Sequence, residues 1–345
     1  MIKHIEITEL VGLLDSLPLI DVRSPKEFHN GHIPGAVNLP LFDDAERAQV
    51  GTRYTRAGRF ASVQLGLDLV AHKLSSFLKT VRELAPGGEL LIHCWRGGLR
   101  SASMAWLFDL AGMNVLVLTG GYRAYRHFIR QELGQPARLI VLAGKTGSGK
   151  TAILRAISQM GHQVLDLEMI ANHKGSVFGG LGMMPQTTNE QFENDLHSVW
   201  RKLDLSMPVW MEDESLSIGS VTIPEPLFSQ LLRSPVLEID VPFGKRVARL
   251  VDEYSAFSEE SLISCVRRIE KKLGGDNTHK AIDSIREGNF TRTAEILLTY
   301  YDKAYQKSLQ NRADQVSRIR LQLQQDEPVT NAHYLLRYYF SNENL

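Results

Sequence analysis

Cysteine is scarce in this chain of 345 residues: only Cys94 and Cys265 occur, far apart. That argues against a disulfide framework, so each is read as a single thiol in a reducing compartment. No apolar run approaches the ~20 residues that a bilayer-spanning helix needs. The opening Met1-Ile2-Lys3-His4-Ile5-Glu6 also lacks the basic-then-apolar layout of a signal peptide, so a cytoplasmic protein with no membrane partner is expected. Repeats and low-complexity tracts are missing. So is a formal net charge, which is +0; taken alone this argues against a nucleic-acid binder, because phosphate contacts need Lys and Arg. The balance is uneven, however. Residues 261–325 carry 12 Lys+Arg against 7 Asp+Glu, a local excess of five, which leaves room for a polarised surface.

What is present is a soluble globular composition, 43% hydrophobic and 23% charged. The length suggests two domains rather than one. Short apolar runs, Leu19-Ile20-Asp21-Val22, Ala36-Val37-Asn38-Leu39, Glu89-Leu90-Leu91-Ile92-His93 and Val115-Leu116-Val117-Leu118, alternate with helical stretches. That pattern predicts an α/β domain with a parallel or mostly parallel sheet. An arginine-rich helix follows Gly120-Gly121 and ends near Gly134-Gln135-Pro136, which reads as a linker. The expected division is 1–134 and 135–345. A new strand, 138–143, opens the second α/β domain, with further strands expected at 163–166, 207–211 and 236–240. From about Pro242 to at least Gln325 the pattern reads as helical.

Cys94 follows an apolar strand and opens Cys94-Trp95-Arg96-Gly97-Gly98-Leu99-Arg100-Ser101, with a helix after it. Strand, tight loop and helix aim backbone N–H groups and the positive end of a helix dipole at the thiol. A thiol so placed works as a nucleophile and sits beside an oxyanion site. Arg100, six residues after the cysteine, is expected to face inward as a two-pronged partner for a tetrahedral anion. Trp95 either stacks on a uracil ring or packs in the loop. His29, His32 and His93 read as structural, and Cys265, on an apolar helical face, as a core thiol.

The second motif, Gly144-Lys145-Thr146-Gly147-Ser148-Gly149-Lys150-Thr151, fits G-x-x-x-x-G-K-[ST] between a strand and a helix. Its backbone N–H groups wrap a diphosphate, Lys150 adds a point charge, and the Thr151 hydroxyl is placed for Mg²⁺. The loop establishes diphosphate binding without establishing ATP. A carboxylate for that metal is sought in Glu212 or Asp213, with Asp166 and Glu168 as second choice. The glycine-rich stretch 172–185, carrying Phe178, Leu181, Met183 and Met184, either encloses an apolar tail or packs as core.

The cysteine loop, with Asp21-Val22-Arg23-Ser24-Pro25-Lys26-Glu27-Phe28 and Gly31-His32-Ile33-Pro34-Gly35-Ala36-Val37-Asn38-Leu39-Pro40, resembles the rhodanese superfamily over roughly residues 5–130. Its His-Cys-x5-Arg spacing is longer than that of many sulfurtransferases and resembles dual-specificity phosphatases and arsenate reductases. A rhodanese-like domain followed by a P-loop NTPase-like domain with a helical C-terminal region resembles the tRNA 2-selenouridine synthase family over nearly the whole chain. Asp166-Leu167-Glu168, Ala171-Asn172-His173-Lys174-Gly175-Ser176 and Glu212-Asp213-Glu214-Ser215 support that match.

The resemblance implies a transferase that alkylates the 2-thio sulfur of a wobble 2-thiouridine in tRNA with geranyl diphosphate, then replaces S-geranyl with selenium from selenophosphate. Cys94 would carry the selenium, with selenophosphate bound by Arg96, Gly97, Gly98, Leu99 and Arg100. The diphosphate would lie on Gly144, Thr146, Gly147, Ser148, Gly149, Lys150 and Thr151. Asp166, Glu212 and Asp213 are the candidate acids or metal-linked groups. Arg123, Arg126, Arg130, Arg267, Arg268, Lys271 and Lys272 are the candidate tRNA contacts. No tightly bound cofactor is expected, Thr151 leaves a place for Mg²⁺, and a transient contact with a selenium-donor enzyme fits the scheme. An ATP-dependent kinase or ligase, a phosphatase-like enzyme and a nucleotide-gated adaptor remain as alternatives.

Overall fold

In the computed structural model the chain divides into two compact units, Met1–Glu132 with Glu193–Ser198, and Leu133–Phe192 with Val199–Leu345. Residues 1–310, 317–324 and 326–342 are described.

The first unit holds β1 (Ile2–Ile5), β2 (Leu19–Asp21), β3 (Val37–Asn38), β4 (Glu89–His93) and β5 (Asn114–Leu118) in the order β1-β5-β4-β2-β3, every pairing parallel. Central β4 is apolar on both faces, as a parallel strand covered by helices must be. Leu90 and Ile92 join one core with Val81 and Phe108, whereas Leu91 joins the other with Ile5 and Tyr122. Cys94 leaves the sheet at the carboxyl end of this strand, where open α/β sheets form their crevices. The edge strand β1 is absent from the sequence reading, because among its residues only Ile5 is buried and no two-residue period stands out.

The second unit holds β6 (Leu139–Gly144), β7 (Gln163–Leu165), β8 (Val209–Glu212), a small antiparallel pair β9 (Ser217–Ile218) and β10 (Val221–Thr222), then β11 (Val236–Asp240) and β12 (Arg318–Gln322). Its main sheet runs β12-β11-β6-β8-β7, all parallel. Buried Ile140 and Leu142 pack with Ile153 and Ile157 of the helix Lys150–Gln159. The expectation of continuous helix to Gln325 is corrected here. Helices extend from Phe243 to Gln310, but residues 318–322 add the strand β12 and the helix Pro328–Ser341 follows it. Arg318-Ile319-Arg320-Leu321-Gln322 has the period of a strand, and its charges find partners on β11. Arg318 bonds Glu238 at 2.6 Å and Arg320 bonds Asp240 at 2.8 Å.

The expected break at 134/135 lies two residues from the observed 132/133, yet the return of 193–198 to the first unit was not anticipated. Asn194 anchors that segment, donating to His32 O and Tyr122 Oη at 2.8 Å each while accepting from Arg126 at 2.5 Å. Polar anchors of this kind leave no mark on a hydrophobic pattern. No described helix is long and apolar enough to cross a membrane.

Candidate active site

In the first unit, residues 94–98 curl from β4 into the helix Leu99–Leu110. Gly97 makes the curl at φ +66, where a Cβ would meet Leu118 O at 2.9 Å, so a side chain there is excluded on two counts. Cys94 lies at the base of the loop, 3% exposed. The Gly98 N–H points at its Sγ from 3.3 Å and the Ser101 hydroxyl from 3.2 Å. Both contacts hold the sulfur in place beneath the loop. Beneath lies a buried Asp21–Arg23 pair at 2.6 Å, whose guanidinium also donates to Gly31 O at 2.7 Å and sits 3.8 Å from the Tyr122 ring centroid. This pair ties the end of β2 to the Gly31–Pro34 turn. Burial acts to raise the Asp21 pKa, but His93 and Arg23 outweigh it and hold the carboxyl below its ordinary value.

Arg100 is not aimed at the thiol's anion site, and that expectation is corrected. Its guanidinium spans both oxygens of Glu27, at 2.5 and 3.3 Å. Glu27 is held ready by a capping box with Ser24, and its two oxygens match the arginine fork. The exposed face of the loop is offered instead by Arg96, Gly98 and Leu99. Trp95 packs 5.7 Å from Tyr122, a loop-packing role.

The second unit places Gly149, at φ +81, immediately before the helix Lys150–Gln159. Lys150 Nζ donates to Gly144 O at 3.1 Å and lies 3.9 Å from Glu212. The Thr151 hydroxyl reaches Glu212 at 2.5 Å and Glu168 at 3.2 Å. Ligand oxygens of Glu168, Glu212 and Glu214 lie within 4.8 Å of one another. Burial first, then mutual repulsion, pushes Glu168 and Glu214 up to about 8, and burial raises Glu212 as well. Three carboxylates and a hydroxyl form a hard oxygen set suited to Mg²⁺, whose charge would relieve the crowding.

This cluster corrects the sequence choice of acids. Glu212 is in it, but Asp166 instead caps the helix Leu167–Ile170, accepting from Met169 N–H at 2.8 Å. Asp213, just past the end of β8, is not one of the clustered carboxylates. Glu214 stands in the Glu212-Asp213-Glu214-Ser215 stretch that supports the family resemblance, which is the signal that could have singled it out.

The helix Phe243–Tyr254, inside the stretch that reads as helical, lies over the phosphate loop, a placement that the sequence does not show. Arg246 spans Asp302 at 2.8 and 2.7 Å and donates to Thr146 O at 3.1 Å. Arg249 is ion-paired with Asp326, and its guanidinium occupies the space a Cβ on Gly149 would fill. Its Nη1 is buried with no hydrogen-bond partner among the described residues. An arginine is an ordinary basic residue in sequence, and nothing in the spacing tied this one to residue 149.

Beside the loop, from Thr146, opens a narrow cavity of about 50 Å³ whose wall is apolar, including Phe178, Leu250, Tyr254 and Leu297. Of the four residues expected around an apolar tail, Phe178 lines this cavity. Leu181 packs in the adjoining core, and Met184 is exposed. Cys265 is buried in that same core, where burial pushes its thiol pKa up.

Among the basic candidates, Arg123, Arg267, Arg268, Lys271 and Lys272 are exposed. Arg130 is exposed and lies 3.3 Å from Glu193. Arg126 is buried and bound to Glu193 and Asn194, so it is corrected from a backbone contact to a structural anchor.

A family model described as the tRNA 2-selenouridine synthase AAA domain matches residues 137–327, and one described as a rhodanese-like domain matches 6–128. The chain belongs to the tRNA 2-selenouridine synthase family. Family members similar to it include the tRNA 2-selenouridine synthase of Nitrosomonas europaea, 33% identical over 89% of this chain and 93% of that one. The Bdellovibrio bacteriovorus synthase is 34% identical over 90% and 94%. That of Aeromonas salmonicida is 34% identical over 88% and 90%. The synthase family therefore accounts for both loops in one polypeptide, in this order.

Proposed function

We propose that the protein makes 2-selenouridine in tRNA in two steps, geranyl transfer at the phosphate loop and selenium transfer at the cysteine loop. The observation that carries the first step is the apolar cavity opening at Thr146, since a nucleotide base in that position would want polar partners. In this reading the 2-thio sulfur attacks C1 of geranyl diphosphate. The S–C1 bond forms, the C1–O bond breaks, and diphosphate leaves with the electron pair. The 144–151 backbone, Lys150 and Arg249 stabilise the departing charge. Thr151 and Glu212, with Glu168 and Glu214, would hold Mg²⁺, which when bound supplies further positive charge to the leaving group. At about 50 Å³ the cavity seats only the start of the chain.

In the second step selenophosphate rests on the 94–100 loop and its selenium attacks C2. The C2–Se bond forms, the C2–S bond breaks, and geranyl thiolate leaves with the pair and takes a proton. Selenium in selenophosphate is already at the selenide level. A perselenide on Cys94 formed from it would need an oxidant, whereas thiolate attack on phosphorus needs none. Cys94 therefore takes the phosphoryl group: S–P forms, Se–P breaks, and water clears the phosphocysteine. Mass spectrometry of nucleosides tests the division. Cys94→Ala should stop at the Se-phosphoryl nucleoside, after the geranyl thiol has left, while Lys150→Ala should fail before the S-geranyl nucleoside forms. Equal loss of both products in both variants would reject two separate sites.

A further inference from the structure

The first unit contains a groove of about 640 Å³ that neither step has yet used. One wall is the long helical segment Asp44–Val70, broken at Gly58, where φ is +80. The other is the helix Leu99–Leu110, which begins where the cysteine loop ends. Its surface is overwhelmingly apolar, with Phe42, Val63, Leu67, Met104 and Trp106 among the lining residues. Leu67 is 67% exposed and Trp106 59%, a concentration of large apolar side chains that soluble proteins rarely leave in water without a use.

The groove is continuous with the reactive loop. Leu99 and Arg100 belong to both, and Phe42 and Met104 pack in the same core as Cys94. Its charged residues are confined to one place: Arg100 and Arg47 both meet Glu27, at 2.5 and 3.7 Å. One polar end at the loop and an apolar remainder describe the complement of an amphiphile. The volume falls in the range of about 300–1,000 Å³ typical of small-molecule sites.

We propose that this groove holds the S-prenyl chain of the alkylated nucleoside during selenium transfer. The proposal rests on the two-step reading above. It gives the selenation step its own means of telling the alkylated uridine from unmodified 2-thiouridine, which has no chain to bury. It also gives the departing prenyl thiol an apolar place to leave from.

The test uses the full-length protein and anticodon stem-loops carrying S-methyl, S-dimethylallyl or S-geranyl 2-thiouridine. Affinity and single-turnover selenation with selenophosphate are measured for the wild type, Leu67→Asp, Trp106→Asp and the groove-filling Val63→Trp. All three positions are partly or largely exposed, and thermal melting checks that each variant folds. For the wild type, affinity should rise by about fourfold for each methylene buried. In the variants that rise should flatten, while S-methyl binding and geranyl transfer from geranyl diphosphate stay at wild-type level. Chain-length dependence that persists in all three variants overturns the groove and leaves the two-step reading standing. A wild type that neither forms nor binds the S-geranyl nucleoside overturns the two-step reading, and the groove assignment with it.

Discussion

Arg249 gives the sharpest test of the phosphate site, because its two roles predict different readouts. The substitution is Arg249→Met, which keeps the length and apolar stem of the side chain. As a structural residue, Arg249 contributes an ion pair with Asp326 in which the side chains are 22% and 33% exposed. Partly solvated pairs contribute within about 1 kcal/mol. Burial already works against this cation, lowering its pKa, so removing it relieves part of the loss. Melting should therefore move little. As a diphosphate ligand, Arg249 supplies at least one charge-assisted hydrogen bond from a guanidinium lying over Gly149. Such a bond contributes about 1.5–3 kcal/mol. At about 1.4 kcal/mol per factor of ten, binding should weaken roughly 10- to 150-fold. Calorimetric titration with geranyl diphosphate and with inorganic pyrophosphate separates head from tail, and both should weaken alike. Unchanged pyrophosphate affinity in a variant that melts normally would remove Arg249 from the site.

Four further outcomes follow from the same geometry. Mg²⁺ should raise the melting temperature of the wild type by linkage, about 2.7 kcal/mol of stability at 100 times its Kd, and Glu212→Gln should abolish that shift; an equal shift in both would place the ion elsewhere. Arg23→Met leaves buried Asp21 without its partner and should destabilise by about 3–5 kcal/mol in chemical denaturation; a change within error would show the pair to be dispensable. The folded pKa of Asp21 is lowered, so its contribution is complete above the unfolded value of about 3.9 and is lost as pH falls through the folded value; an Asp21→Asn variant should lose that part of the acid dependence in pH-dependent melting. Because Cys94 is buried, iodoacetamide should modify it more slowly than a free thiol, with selenophosphate protecting it further; complete inertness in the native protein would remove Cys94 from the chemistry.

Much of the fold was legible because parallel strands buried on both faces print continuous apolar runs. β4 and β6 were readable on that ground, and the glycine turns after them on the backbone freedom they require. What escaped was set by single polar contacts between residues distant in sequence. Arg100 has the spacing of an anion ligand, but its fate depends on Glu27, 73 residues earlier. Arg126 reads as an exposed helical arginine, yet Glu193 and Asn194 draw it inward. β12 was lost in a helical background because a five-residue edge strand with two arginines buries little apolar surface.

Both loops follow one local rule: a buried parallel strand ends, a glycine turn frees backbone N–H groups, and a helix begins over them. Anion binding follows from that rule in either unit and so cannot distinguish the two. The distinction lies in what surrounds each turn. At Cys94 the strand end presents sulfur between two hydrogen-bond donors. At Lys150 the turn faces three carboxylates whose burial makes their full ionisation unfavourable without a cation. The first arrangement suits a nucleophile attacking a lone tetrahedral anion. The second suits a metal-assisted leaving group, and the apolar space beside each turn is what would let one alkylated uridine be made at the second and consumed at the first.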